Sequence, residues 1–342
     1  MQNVSILAEA EDTGIAKTTA VAAGILSGAG ADSSVVISNS SIATTGTGTS
    51  IWARDTLKIR AFSRPKAYAE ADGIAISVAG SVGVSIAEAE VDQDITAAVG
   101  RDSYLNAADL QVFARQLLQT GAEYSAKSDA SGSSGGLLFG VSATESTATN
   151  TSTISARIGG NTGIGVSNLA WVRATSSSSQ IAWVSGITGG IVAVGANEAD
   201  VLSGITLEAA IGSGVVFSGG TLKVSAIGYE ALYADAVSGS GGVVSIGPKA
   251  ADAATRSTSS TTASIGNSVT GTSLEAVTVE AEHTIDFNSR ADSINASLVG
   301  VSGAYAVNTI DAWVEASIGS DVDLELQRLT VTAANNLLKD WL

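Results

Sequence analysis

The sequence predicts an all-β protein, a parallel β-solenoid of about six coils, and three observations predict it. A segment ending in glycine returns at Gly46, Gly100, Gly159, Gly212, Gly266 and Gly319, in steps of 54, 59, 53, 54 and 53 residues. An apolar-x-apolar-x-Ala pattern closes at Ala8, Ala61, Ala114, Ala174, Ala226, Ala281 and Ala333, and from Ala61 onward it follows a unit glycine by 14 or 15 residues. Between these markers apolar and polar residues alternate with period two, which is strand spacing. Two registers locked over six copies define a repeat of 52–60 residues. The array spans residues 1–334, with units of roughly 1–54, 55–108, 109–167, 168–220, 221–276 and 277–327 and the start of a seventh at 328.

Within each unit the strand before the glycine has an inward and an outward face. Three residues before the glycine stands alanine in every unit: Ala43, Ala97, Ala156, Ala209, Ala263 and Ala316. The positions one and five before it are mostly apolar, as in Ile158 and Ile154, and are expected to stack inside. Even offsets are polar and are expected to face solvent: Glu88, Glu90, Asp92 and Asp94 in the second unit, and Thr147, Thr149, Thr151 and Thr153 in the third. The middle of each unit is Gly-rich, as in Gly132-Ser-Ser-Gly-Gly136, which fits bends needing positive φ or close backbone approach. A short strand at the Ala marker completes the unit.

Stacking such units in register puts equivalent positions about 4.8 Å apart, so six coils rise about 29 Å. The crossover rule favours a right-handed coil. The 59-residue unit is expected to hold its extra residues as a longer bend around residues 119–134. At the C-terminus Asn335-Asn-Leu-Leu-Lys-Asp-Trp-Leu342 has helical apolar spacing, and residues 335–342 are read as a cap or a non-native remnant.

Composition agrees. Aromatics are 5% and charged residues 15%, whereas glycine alone contributes 38 residues, so stability must come from ladders and tight small-side-chain contacts. The net charge of −16 repels phosphate backbones, which argues against nucleic acid as a partner. Cysteine is absent, excluding disulfides and thiol chemistry. The N-terminus opens inside a repeat strand with no basic region and apolar core, as expected of a piece of a longer chain to which Met1 was added. No apolar run is long enough to cross a bilayer, so no membrane insertion is expected.

The Ala-x-Ala strands, the Gly-Gly bends, Gly303-Ala-Tyr-Ala-Val-Asn308 and the Ala-Ser-Ile-Gly ends at Gly266 and Gly319 resemble the repeats of very large bacterial surface exoproteins of the leukotoxin and filamentous-haemagglutinin-like type. The resemblance covers essentially the whole chain. It implies secretion, a cell-surface or extracellular location, a long solenoid stalk, and a role in adhesion or surface display. Secretion signals and any receptor-binding or toxic module would lie elsewhere, so neither activity transfers to this segment.

The only histidine, His283, stands beside Glu282 and reads as a solvated turn residue, not a catalytic base. Glu88, Glu90, Asp92 and Asp94 form an acidic face, but stacking sets threonines over them, and a solvated face is favoured. Asp92-Gln-Asp94 and Asp321-Val-Asp323 lack the frame of a calcium nonapeptide or EF-hand. Glycine runs lack the Gly-Lys-Ser/Thr of a phosphate loop. Leu202 and Gly204 interrupt a threonine lattice between Thr149 and Thr258, and Trp52, Trp171, Trp183, Trp313 and Trp341 share no offset, so no aromatic ladder is expected. The expectation is therefore a non-catalytic stalk or spacer with no catalytic, cofactor or metal residues and no cofactor. Its partners are neighbouring coils, end-to-end copies, or surface glycans and proteins. The alternatives are a carbohydrate-active β-helix enzyme and a self-assembling filament module.

Overall fold

Small and β-branched side chains that alternate with polar ones pack well from the two faces of a pleated strand, and almost the whole chain takes extended backbone. The computed structural model describes residues 2–339, apart from the side chain of Pro248, and among them there is no helix. The protein is all-β. In order the strands are β1 (Val4–Thr44), β2 (Ser50–Trp52), β3 (Thr56–Val99), β4 (Tyr104–Gln116) and β5 (Ala126–Gly136). They continue as β6 (Phe139–Asn150), β7 (Thr153–Ile158), β8 (Gly163–Ser203), β9 (Thr206–Ile211) and β10 (Val216–Ser218). Last come β11 (Thr221–Ser257), β12 (Ser260–Ile265), β13 (Thr270–Ile310), β14 (Trp313–Ile318) and β15 (Asp323–Lys339). All fifteen belong to one sheet, and strands from successive repeats pair in parallel.

The register follows the repeat. Ala8 pairs with Ala61, Ala61 with Ala114, Ala114 with Ala174, Ala174 with Ala226, Ala226 with Ala281 and Ala281 with Ala333. The second column behaves alike: Ala43, Ala97, Ala156, Ala209, Ala263 and Ala316 are successive partners. Ala97, Ala156, Ala209 and Ala263 are all 0% exposed, so each methyl is enclosed by those above and below.

Two cores result. One packs Leu57, Ile59, Ile154, Leu207 and their equivalents, and the other is mostly alanine, with Ala69, Ala89, Ala148 and Ala199 holding two sheet faces close together. Between their members in sequence runs a buried polar seam. There Gln116 Nε2 donates to Ser152 Oγ at 2.7 Å, and Ser152 Oγ donates to Asn150 Oδ1 at 2.7 Å. Buried amides cost little when paired in this way.

The turn after each unit glycine has a precise backbone cause. Two residues further on, Gly48, Asp102, Asn161, Gly214, Ser268 and Asp321 all have φ between 55° and 71°. This left-handed region is tolerated best by Gly, Asn and Asp. The unit glycine itself serves another need, because a Cβ on Gly212 would come 2.5 Å from the amide nitrogen of Gly160 in the preceding repeat.

Three expectations require correction. The Gly-rich middles are not positive-φ bends: the left-handed glycines are Gly48, Gly121, Gly214, Gly219 and Gly220. Apart from a bend at 137–138 the middles stay in strand, and close approach is what demands glycine at Gly190, which stacks on the Gly136 carbonyl. The extra residues of the long unit are not spread over 119–134. Ser63 pairs with Gln116 and Ala67 with Ala126, so three residues (64–66) face nine (117–125), an excess of 9 − 3 = 6. Residues 126–134 are already strand. Finally, residues 335–339 are not helical; they continue β15, with Asn335 opposite His283 and Lys339 opposite Phe287. The remainder of that tail, 340–342 with Trp341, lies outside the described residues.

Candidate functional surfaces

Side chains at even offsets point outward and the ladder sets them in rows, so any site must be read from rows. Glu88, Asp92 and Asp94 are exposed, and Thr147, Thr149 and Thr153 lie over Glu88, Glu90 and Asp94 as register partners. Asp92 and Asp94 line a shallow groove of about 690 Å³ together with Arg157 and Glu208. Within it Thr96 Oγ1 donates to Asp94 Oδ1 at 2.9 Å and Ser155 Oγ to Glu208 Oε2 at 3.1 Å. Leu202 does sit over Thr149, and Gly204 lies between Thr151 and Thr258.

A denser acidic row was not singled out in the sequence. Glu145, Glu198 and Asp252 are successive register partners, and Asp200 is on the same face two residues from Glu198. Like charges directly opposite one another are unfavourable. Burial, then Glu198, Asp252 and Glu145, push the Asp200 carboxyl up to about 6, against a smaller opposing effect of Arg256. Lys249 relieves one end through a 3.1 Å ion pair with Asp252.

The opposite sign gathers on another face. Arg60, Arg115 and Arg173 stand in neighbouring strands around Phe113 and Trp171, whose rings meet edge to face at 5.1 Å. Arg115 lies 4.8 Å from the Phe113 centroid and Arg173 5.0 Å from that of Trp171. Burial lowers the basicity of Arg115, and repulsion from Arg173 and Arg60 adds to it. This cluster was legible only once the ladder brought Arg60, Phe113 and Arg173 into one line.

His283 is where the sequence reading fails most plainly. It is fully buried, not a solvated turn residue. Its Nδ1 lies 2.6 Å from Thr261 Oγ1, and its Nε2 is 3.1 Å from Glu230 Oε1, at contact distance but without hydrogen-bond alignment. Glu230 is likewise fully buried and accepts a 3.0 Å bond from Ser257 Oγ through Oε2. The signal available was local: His283 follows Ala281 by two residues and so shares its inward parity. With no exposure to solvent, the Glu230, His283 and Ser257 group is internal packing.

The remaining candidates also resolve. Asp321 is one of the left-handed turn residues, and among the described residues no group of three or more His, Asp or Glu is arranged to hold a metal. Trp52 packs on Tyr104 at 5.2 Å and Trp183 under Lys127 at 3.8 Å, with no ladder between them. No helix of the described residues is long and apolar enough to cross a membrane. No protein-family model, curated protein or solved structure matches the chain.

Proposed function

We propose that the chain is a right-handed parallel β-solenoid of six coils, one segment of a giant secreted or cell-surface bacterial protein, and that it acts as a stalk or spacer in adhesion or surface display. The observation that carries this reading is the alanine register from Ala8 to Ala333, in which every repeat pairs with the next over nearly its whole length. A rod built so transmits load through backbone ladders and sets modules at its ends apart by a fixed length. Its outward rows of Glu, Asp and Thr keep the sides hydrated and resist lateral sheet pairing.

Deleting one full period tests it. A chain lacking residues 160–212 keeps both alanine registers and is expected to fold, with its long dimension in solution scattering reduced by about 4.8 Å. An unfolded product, or one of unchanged length, overturns the reading.

The groove holding Asp92, Asp94 and Glu208 favours a second reading, a carbohydrate-active β-helix. Depolymerisation of an acidic polysaccharide that is lost on Asp92→Asn or Asp94→Asn is the result that supports it.

A further inference from the structure

Every repeat contains a charge-free stretch at its Gly-rich middle: residues 18–31, 73–87, 130–144, 184–197, 236–248 and 293–310 carry no Asp, Glu, Lys or Arg. In a chain of net charge −16 this segregation is pronounced. The ladder lines the six stretches up, and each carries a large apolar side chain at its tip. Exposure reaches 75% at Ile25, 67% at Val78, 67% at Leu137, 46% at Ile191, 44% at Val243 and 85% at Leu298, and Ile191 N donates to Leu137 O in the same row. One apolar ridge therefore runs along the side of the protein for about 24 Å, taking five steps of strand spacing. Isolated exposed hydrophobics need no explanation, but a continuous patch marks an interaction surface.

We infer that this ridge lies on a lipid surface, with its tips in the boundary between headgroups and acyl chains. Two observations favour lipid over a second copy of the chain. First, the backbone of the inner repeats is self-satisfied through the tips. Gly80 pairs with Phe139 and Phe139 with Val192, while Leu138 N donates to Ala79 O at 2.8 Å and Val192 N to Leu138 O at 2.9 Å. Hydrocarbon, which offers no hydrogen bonds, accepts only such backbone. Second, both flanks of the ridge carry more acid than base, with Asp72 and Asp129 against Lys127 on one side and Glu145, Glu198 and Asp252 against Lys249 on the other. Mating two identical ridges would press these flanks together, whereas a zwitterionic surface sets no net charge against them. No bilayer crossing is involved. The expectation of no membrane insertion rests on the absence of a long apolar run, and here six short runs are summed by the fold at a surface. The inference rests on the ladder register and not on the stalk reading.

The test uses flotation with phosphatidylcholine vesicles. The protein is expected to float with them, independently of salt, and to float less with vesicles rich in anionic lipid. The variant Ile25→Glu, Val78→Glu, Leu137→Glu, Leu298→Glu is expected to lower partitioning by about tenfold or more, with an unchanged circular dichroism spectrum. Because cysteine is absent, a second measurement needs no background removed. A polarity-sensitive fluorophore on Val78→Cys is expected to shift to the blue with vesicles, and one on Arg54→Cys is not. Failure to float at saturating lipid overturns the inference. So does concentration-dependent dimerisation of the parent chain abolished by the same four substitutions, which would make the ridge a contact between copies.

Discussion

Gly228 and His283 are register partners in adjacent repeats, and a Cβ on Gly228 would stand 2.8 Å from both Nδ1 and Cε1 of the imidazole. The glycine is the space into which the histidine leans to reach Thr261 and Glu230. Gly228→Ala is therefore expected to destabilise by about 1–3 kcal/mol through overpacking. His283→Ala is expected to cost a comparable ~1–3 kcal/mol by stripping Thr261 and Glu230 of a buried neighbour. In the double variant the steric cost disappears, so urea denaturation should give a loss well short of the sum. Strict additivity would show that the two side chains do not compete for that space.

The alanine columns make a sharper steric prediction. Ala156 is 0% exposed between Ala97 and Ala209. Ala156→Leu is expected to cost about 1–3 kcal/mol or to prevent folding. On the outward face two residues before Ile154's neighbour, the exposed Thr153→Leu is expected to stay within about 0.5 kcal/mol of the parent. Equal effects at the two sites would mean that position 156 is not enclosed.

Two glycines of different meaning can be compared directly. A Cβ at Gly212 meets backbone at 2.5 Å, whereas one at Gly189 finds nothing within 4 Å. Thermal unfolding is expected to drop on Gly212→Ala and to hold or rise on Gly189→Ala, since alanine restricts the unfolded chain.

Asp200 predicts a pH dependence. Its carboxyl is raised from an ordinary value of 3.8 to about 6, so between those limits the folded protein binds the proton more tightly than the unfolded chain. Stability from this group is present at low pH and is lost as pH rises from about 4 through 6. The half-exposed setting limits the loss to about 1 kcal/mol. Asp200→Asn is expected to stabilise at pH 7 and to leave pH 4 nearly unchanged. If the difference between parent and variant is flat with pH, the row of Glu145, Glu198 and Asp252 does not act on Asp200.

Much of the fold was written in the sequence because a repeat supplies its own controls. Alanine at 97, 156 and 209 has a steric cause that any stacked arrangement must share, and the structure pairs these three directly. Parity also gave the outward run of Glu88, Asp92 and Asp94. What parity alone does not give is which outward residues from different repeats meet. Arg60 and Arg173 each precede a marker alanine by one residue, Ala61 and Ala174, whereas Arg115 follows Ala114 by one, so the ladder sets Phe113 between the first two and Arg115 one row further on. The left-handed position two after each glycine was hidden for a different reason. Gly, Asp, Asn, Gly, Ser and Asp share no side-chain chemistry, only tolerance of positive φ. His283 was misjudged because charge beside it, at Glu282, outweighed the alternation that turns it inward.

The nine residues of 117–125 leave β4 and hand the chain to β5 with Ala126 still opposite Ala67. Gln119 pins the departure to the carbonyls of Asp12 and Arg64, and Gly121, with φ 79° and open space about it, is exposed beyond it. The protein thus already carries a splice joint, a corner where length is free while registration is kept. Foreign peptides entered at Gly121 would hang from the side of the array like pennants, their number and spacing set by how many repeats are given the same joint.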